Sequence, residues 1–290
     1  MDILQKIEMG MPTFSKGQKA IAAYILEHYD KAAYMTALKL GSTVHVSEST
    51  VVRFAIELGL DGYPELQRSL RELIRTRLTT LQRIDIANER IGDENILDTV
   101  MNFDIEKMRT TLDCIDRGAF ERAVDEIISA RRIYIAGVRS SSALAMFLHH
   151  YLSLIFDDVR FVNSTSRSQI YEQLLRIGDR DVMIGISFPR YSKSLVKEME
   201  FAKSRNAKTI ALTDSEASPI AACSETVLIA RSEMASFVDS LVAPMSVINA
   251  LIVAIGVRKQ KEVKDTFLAL EDIWDQNDVY DKDKSGKDNN

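Results

Sequence analysis

A chain of 290 residues exceeds the usual single-domain length, so two modules or one large one are expected. Hydrophobic residues make up 46% and charged residues 27%, with only 12 Gly and 5 Pro, which excludes collagen-like or wholly disordered material. The net charge of −5 excludes wholesale polycation binding but not a local basic face: ten Lys/Arg stand against nine Asp/Glu up to Arg77, a net of +1 that leaves −6 for the rest.

The first 80 residues read as consecutive short helices, with Ile21, Ile25 and Tyr29 recurring at helical spacing. Within them, Thr36 to Ala55 has the layout of a helix-turn-helix. Leu40, Val44, Val46, Val51 and Phe54 supply apolar contacts between two crossed helices, and Gly41 permits their close approach. Ser47 is placed to cap the second helix, which leaves Glu48, Ser49, Thr50 and Arg53 at its exposed start, where such a helix enters the major groove of double-stranded DNA. His45 occupies the turn position often held by Gly and would adopt a left-handed conformation. A plain helical hairpin with a solvated polar face would also place Ser and Thr at a helix start; spacing, cap and exposed Arg together favour DNA reading.

Residues 78–95 are polar and helix-prone, a helical connector rather than a Gly/Ser linker. Asn95 to Asp113 and Gly118 to Ala130 read as helices. From Arg132 short apolar runs alternate with helical segments: strands at Arg132 to Gly137, Val159 to Val162, Asp181 to Ile186, Thr209 to Leu212 and Thr226 to Ile229, with helices at Ser141 to Phe156, Ile170 to Leu175, Ser194 to Arg205 and Ser218 to Cys223. This alternation implies a doubly wound, flavodoxin-like parallel sheet covered on both faces. The apolar stretch Leu241 to Val257 is broken by Pro244, Ser246 and Asn249 and is too short to span a bilayer, so it reads as a buried helix and no membrane partner is expected. The domain limits are thus 1–77, 78–95 and 96–270, with 275–290 a disordered tail. Cys114 and Cys223 show neither zinc nor disulfide spacing, and the N-terminus is unlike a signal peptide, so a cytoplasmic protein is expected, with no metal and no cofactor.

Gly137-Val-Arg-Ser140-Ser141-Ser142 follows the first strand and opens a helix, gathering hydroxyls and free amides at its positive end, an anion site. After the third strand comes Ser187-Phe-Pro-Arg190-Tyr-Ser192-Lys-Ser194. In a sheet of order 2-1-3-4-5 these loops flank the topological switch point and open into one crevice. Either loop alone reads as ordinary helix capping; both together favour a phosphorylated small molecule. The nucleotide-binding glycine patterns are absent.

The chain resembles RpiR-type bacterial transcriptional regulators, in which an N-terminal helix-turn-helix precedes a C-terminal SIS (sugar isomerase) domain. The resemblance spans about residues 1 to 270 and rests on Ser47-Glu-Ser-Thr-Val-Val-Arg-Phe, Leu58-Gly-Leu-Asp-Gly-Tyr-Pro-Glu-Leu, and Gly137 to Ala143, with Ser141 at the hydroxyl position of the family's first phosphate loop. It implies an all-α DNA-binding domain plus a five-stranded SIS domain, an operator and a phosphosugar effector as partners, and a homodimer or homotetramer controlling carbohydrate genes. The second loop departs from Ser-x-Ser-Gly-x-Thr: Ser187 and Ser192 match its ends, while Pro189 and Arg190 replace the inner Ser and Gly. Either Arg190 supplies the lost phosphate contact or the effector is not a hexose phosphate. The resemblance also brings residues opening the last helix near the ligand, which nominates Glu233. The alternative is a phosphosugar isomerase, which would need a base such as Glu172, Glu225, Glu233 or one of His149 and His150; the attached DNA-binding module favours a sensor without catalytic residues.

Overall fold

The computed structural model describes residues 3–77, 81, 82, 84, 95–233 and 238–280. It divides into two compact units, one drawn from Met1–Glu94 with Glu233–Asp239, the other from Asn95–Ser232 with Ser240–Asn290.

Between residues 3 and 77 every regular element of the first unit is a helix: α1 (Ile3–Gly10), α2 (Lys16–Ala32), α3 (Ala37–Thr43), α4 (Glu48–Glu57) and α5 (Tyr63–Arg77). Ser15 and Gln18 form a reciprocal capping box that starts α2. Ile21 and Ile25, one turn apart on α2, meet Ile7, Leu40, Phe54, Leu66 and Leu70 in one buried core. Phe54 meets Phe14 edge to face at 5.1 Å. Carbonyls past the end of α2 are satisfied from α5: Tyr63 Oη and Gln67 Nε2 each donate to Met35 O at 2.7 Å, and Arg71 Nε donates to Ala33 O at 3.0 Å. Burial pushes the Tyr63 phenol up to about 12, against a smaller opposing pull from Arg71.

The second unit runs α6 (Ile96–Cys114), α7 (Arg117–Ser129), β1 (Ile133–Gly137), α8 (Ser140–Leu152), β2 (Val159–Val162), α9 (Arg167–Leu174), β3 (Val182–Ile186), α10 (Lys193–Ser204), β4 (Lys208–Thr213), α11 (Pro219–Ala222), β5 (Thr226–Ile229), α12 (Val242–Arg258) and α13 (Gln260–Gln276). The five strands pair in parallel in the order β2-β1-β3-β4-β5, as expected. Ile133, Ile135, Ile184 and Ile210 face α7, α8 and α12 through Ile127, Leu144 and Ile248. Tyr134, Met183 and Ala211 face the other way, onto Leu174, Leu195 and Ile220. With both faces covered, the central strands read as continuous apolar runs. At their amino ends Arg131 forks onto buried Asp181, Nε to Oδ1 at 2.9 Å and Nη2 to Oδ2 at 2.8 Å.

Several expected boundaries shift. The helix after β1 stops at Leu152 instead of Phe156, because Ile155 and Phe156 pack on the core from a turn that closes on Leu152 O. The stretch read as a buried helix is α12, but it is buried along one side only: Val247, Ile248, Leu251 and Ile255 face inward, while Val253 and Val257 are 64% and 71% exposed. Of the connector 78–95, residues 81, 82 and 84 are helical, Asn95 caps α6, and the rest lies outside the described residues. The C-terminal helix α13 continues to Gln276, past the start expected for the tail, with Trp274 against Phe267 and Tyr280; residues 281–290 lie outside the described residues. Among the described residues no single helix is long and apolar enough to cross a membrane.

Candidate functional site

In the first unit, α3 and α4 cross where a side chain cannot fit. A β-carbon on Gly41 would lie 2.8 Å from Val46 O, so only glycine permits this approach. His45 takes the left-handed conformation (φ 58°) that turns the chain between the two helices. Ser47 caps α4: its hydroxyl accepts from Thr50 N at 3.3 Å and lies 2.9 Å from the hydroxyls of both Ser49 and Thr50. Ser47, Glu48, Ser49 and Arg53 are exposed together. Thr50 is half-buried, and its methyl faces Gly17 of α2. The exposed end of α4 therefore offers a carboxylate, a hydroxyl pair and one guanidinium.

In the second unit, Gly137 at the end of β1 lies opposite Ile186 at the end of β3, so the two loops of interest leave neighbouring strands at the same level. A β-carbon on Gly137 would meet Ser141 O at 2.5 Å, which shows how closely the first turn of α8 sits on the strand end. Arg139 precedes that helix with φ 60° and ψ −127° and gives it no side-chain cap. Without a side-chain cap, the Ser140 and Ser141 amides that open α8 are available to an anion, while the Ser142 amide donates to Arg139 O at 3.0 Å. Ser140 is exposed, Ser142 half-buried and Ser141 only 4% exposed.

Across the switch point Ser187 is also 4% exposed, and its amide extends the ladder to Leu212 O at 3.1 Å. Arg190 is exposed in a left-handed conformation (φ 67°). The remaining hydroxyls of this loop serve their own helix: Ser192 caps α10 by accepting from Leu195 N at 3.4 Å, and Ser194 donates to Glu198 Oε1 at 3.0 Å. Burial holds the Glu198 carboxyl above the ordinary range, partly offset by that bond. Thus Ser140, Ser141, Ser142, Ser187 and Arg190 share the carboxyl edge of β1 and β3, while Ser192 and Ser194 are engaged along α10.

Glu233 lies in the segment after β5, ahead of α12, which begins at Val242; residues 234–237 lie outside the described residues, and beyond them the Ser240 carbonyl accepts from Ser232 Oγ. The bases considered for an isomerase are scattered. Glu225 pairs with Lys208 at 3.0 Å where β4 and β5 begin, the end of the sheet opposite the loops. Glu172 is exposed on α9, and His149 packs against Phe161 while His150 is exposed. Among the described residues no group of three or more His, Cys, Asp or Glu side chains could hold a metal ion.

Asp214, at the end of β4, was not singled out from sequence. It is fully buried and accepts from Tyr191 Oη at 2.9 Å, so it anchors the loop that carries Arg190. A carboxylate two residues after the apolar run Thr209 to Leu212, just past the strand next to β3, is the signal that could have found it.

Comparison with known proteins agrees with this layout. The signature of the helix-turn-helix domain of the rpiR family matches residues 1–76, and that of the SIS domain matches residues 126–254. The HTH-type transcriptional regulator HexR of Escherichia coli is 25% identical over 280 residues, covering 91% of each chain. The crystal structure of the sugar isomerase domain of an RpiR transcription factor from Sphaerobacter thermophilus is 30% identical with a TM-score of 0.57, covering 61% of this chain and 99% of that one. The fold is also shared by the Vibrio vulnificus NanR protein complexed with ManNAc-6P, at 21% identity and a TM-score of 0.58 over 94% of this chain and 98% of that one. A helix-turn-helix of the rpiR type followed by an SIS domain, in the order seen in those regulators, places this chain in the RpiR family of transcriptional regulators.

Proposed function

We propose that this regulator reads a DNA operator with α4 and senses a phosphorylated sugar at the loops after β1 and β3. On the DNA side, Ser47, Glu48, Ser49, Thr50 and Arg53 form the reading end. Arg53 has the reach to fork onto guanine or a phosphate. On the sugar side, Ser140, Ser141, Ser142, Ser187 and Arg190 hold the phosphoryl group. The register of Gly137 opposite Ile186 carries this reading, because it brings an uncapped helix start, two buried hydroxyls and a guanidinium to one edge of the sheet. The ManNAc-6P bound by NanR supports a phosphosugar as the ligand class. Ser192, Ser194 and Glu233 take outer roles, since the first two already bond within α10 and the third precedes α12.

The functional units are residues 1–77 for DNA, 78–95 as connector and 96–270 for the sugar, and the protein works in the cytoplasm on genes of carbohydrate metabolism. A homodimer or homotetramer presents paired α4 helices to two half-sites. Exposed Leu97, Met101 and Leu112 on α6, with Val253 and Val257 on α12, supply apolar surface for such an assembly.

A thermal-shift panel of aldose and ketose 6-phosphates with ManNAc-6P tests the sugar reading. At least one compound raises the melting temperature of the native chain and fails to do so with Ser141→Ala/Ser187→Ala; a panel that shifts nothing removes the cradle.

A further inference from the structure

A continuous set of hydrogen bonds leads from the loop after β3 to helix α6. Tyr191, next to Arg190, donates its hydroxyl to Asp214 Oδ1 at 2.9 Å. Asp214 also takes a bond from Thr213 Oγ1 at 3.3 Å, and its backbone carbonyl accepts from Arg231 Nη1 at 3.1 Å. Arg231, two residues past β5, donates its own backbone N–H to Thr111 Oγ1 on α6 at 2.8 Å. Where the chain returns towards α12, Ser240 donates to Asp104 on the same helix. Thr111 and Asp104 are two turns apart on one face of α6, so this face receives both ends of the excursion that follows β5.

We infer that Asp214 is a positioning residue which couples the candidate effector loop to α6, with Tyr191, Arg231 and Thr111 as its links. The inference rests on the phosphosugar reading of that loop. Three features of Asp214 fit the role. It is fully buried, where hydrogen bonds to a carboxylate are strong and directional. Its side chain holds Tyr191 and its main chain holds Arg231, so the loop and the strand-end segment move with the same residue. Its partner loop contains the left-handed Arg190, a conformation that persists only where neighbouring contacts enforce it. A phosphoryl group drawing on Arg190 displaces Tyr191 beside it. Asp214 then transmits that displacement through Arg231 to Thr111, and α6 is the first described helix after the connector.

Hydrogen exchange of the full chain tests this, with ManNAc-6P, glucose 6-phosphate, fructose 6-phosphate and inorganic phosphate as probes. In the native chain a bound probe slows exchange at residues 138–142 and 187–192 and also changes it along Ile96–Cys114. Tyr191→Phe and Thr111→Val keep the loop protection but reduce the α6 response at least about fivefold, the scale of an ordinary coupling energy. Thr111→Ser, which keeps the acceptor oxygen, restores the response; a purely packing role for Thr111 would not show that rescue. Loop protection with an unaltered α6 response in Tyr191→Phe and Thr111→Val overturns the coupling role alone. Loops of the native chain that no probe protects overturn the phosphosugar reading and the coupling with it.

Discussion

Ser47 and, on helix α4, Glu48, Ser49 and Arg53 stand in solvent, whereas Ser141 and Ser187 of the proposed cradle are each 4% exposed beside the ends of buried strands. The proposed reading end is an outer surface fixed by one cap and one close helix crossing. The proposed cradle is the rim of a core, and its shape depends on how tightly α8 sits on Gly137. Changes at the exposed Glu48, Ser49 and Arg53 of α4 should therefore alter partner affinity with little effect on folding, while changes in the proposed cradle should disturb affinity and stability together.

The largest expected effect uses the core of the helical unit as a control. Phe54→Ala removes a fully buried ring packed on Phe14 and should cost about 3–5 kcal/mol. Denaturation followed separately for the two units should show operator binding lost with the first transition and sugar-dependent stabilisation retained by the second. Gly137→Ala is the counterpart in the α/β unit. The added methyl meets backbone at 2.5 Å, so the first turn of α8 must shift, at about 1–3 kcal/mol. Calorimetry should show sugar binding abolished, and gel shifts should show ligand-free operator binding kept. Arg53→Ala should weaken operator binding by about 1–3 kcal/mol if it reads a base. Its melting temperature should match the native chain, and a matching drop in stability would erase the contrast between the two regions.

The smallest effect is pH-dependent. In the folded chain the Tyr63 phenol is raised from 10.0 to about 12 by burial, so folding favours its protonated form. That contribution is complete below pH 10 and is lost as the pH climbs through 12. Tyr63→Phe should remove this part of the alkaline loss and cost about 1 kcal/mol at neutral pH, because the Met35 carbonyl loses one of its two donors. Urea midpoints measured from pH 8 to 12 check it.

The same contrast explains how much of the fold is legible in the sequence. Gly41, His45 and Ser47 lie within seven positions of one another, so the turn between α3 and α4 is a local problem and its parts were legible, including the left-handed His45. The strand order followed from alternating apolar runs and the family resemblance together. The proposed cradle is less local. Ser192 and Ser194 have the same chemistry whether they bind a ligand or serve their own helix, and here they bond within α10. The tie between Arg231 and Thr111 spans 120 positions, and no spacing rule reaches that far. Glu233 precedes α12, and nothing in its neighbourhood marks that the helix begins at Val242. The buried side of α12 was hidden because the helix carries apolar residues on its exposed side as well, Val253 and Val257 among them.

The proposed regulation requires sugar occupancy in one unit to change DNA affinity in the other. It is tested most directly by fluorescence anisotropy of the full chain on a duplex selected from a random pool, titrated with the 6-phosphates that bind. Saturation should change the operator Kd at least about fivefold, an effect absent in Ser141→Ala/Ser187→Ala. A sugar phosphate that binds the native chain at these loops and leaves the operator Kd unchanged would contradict it.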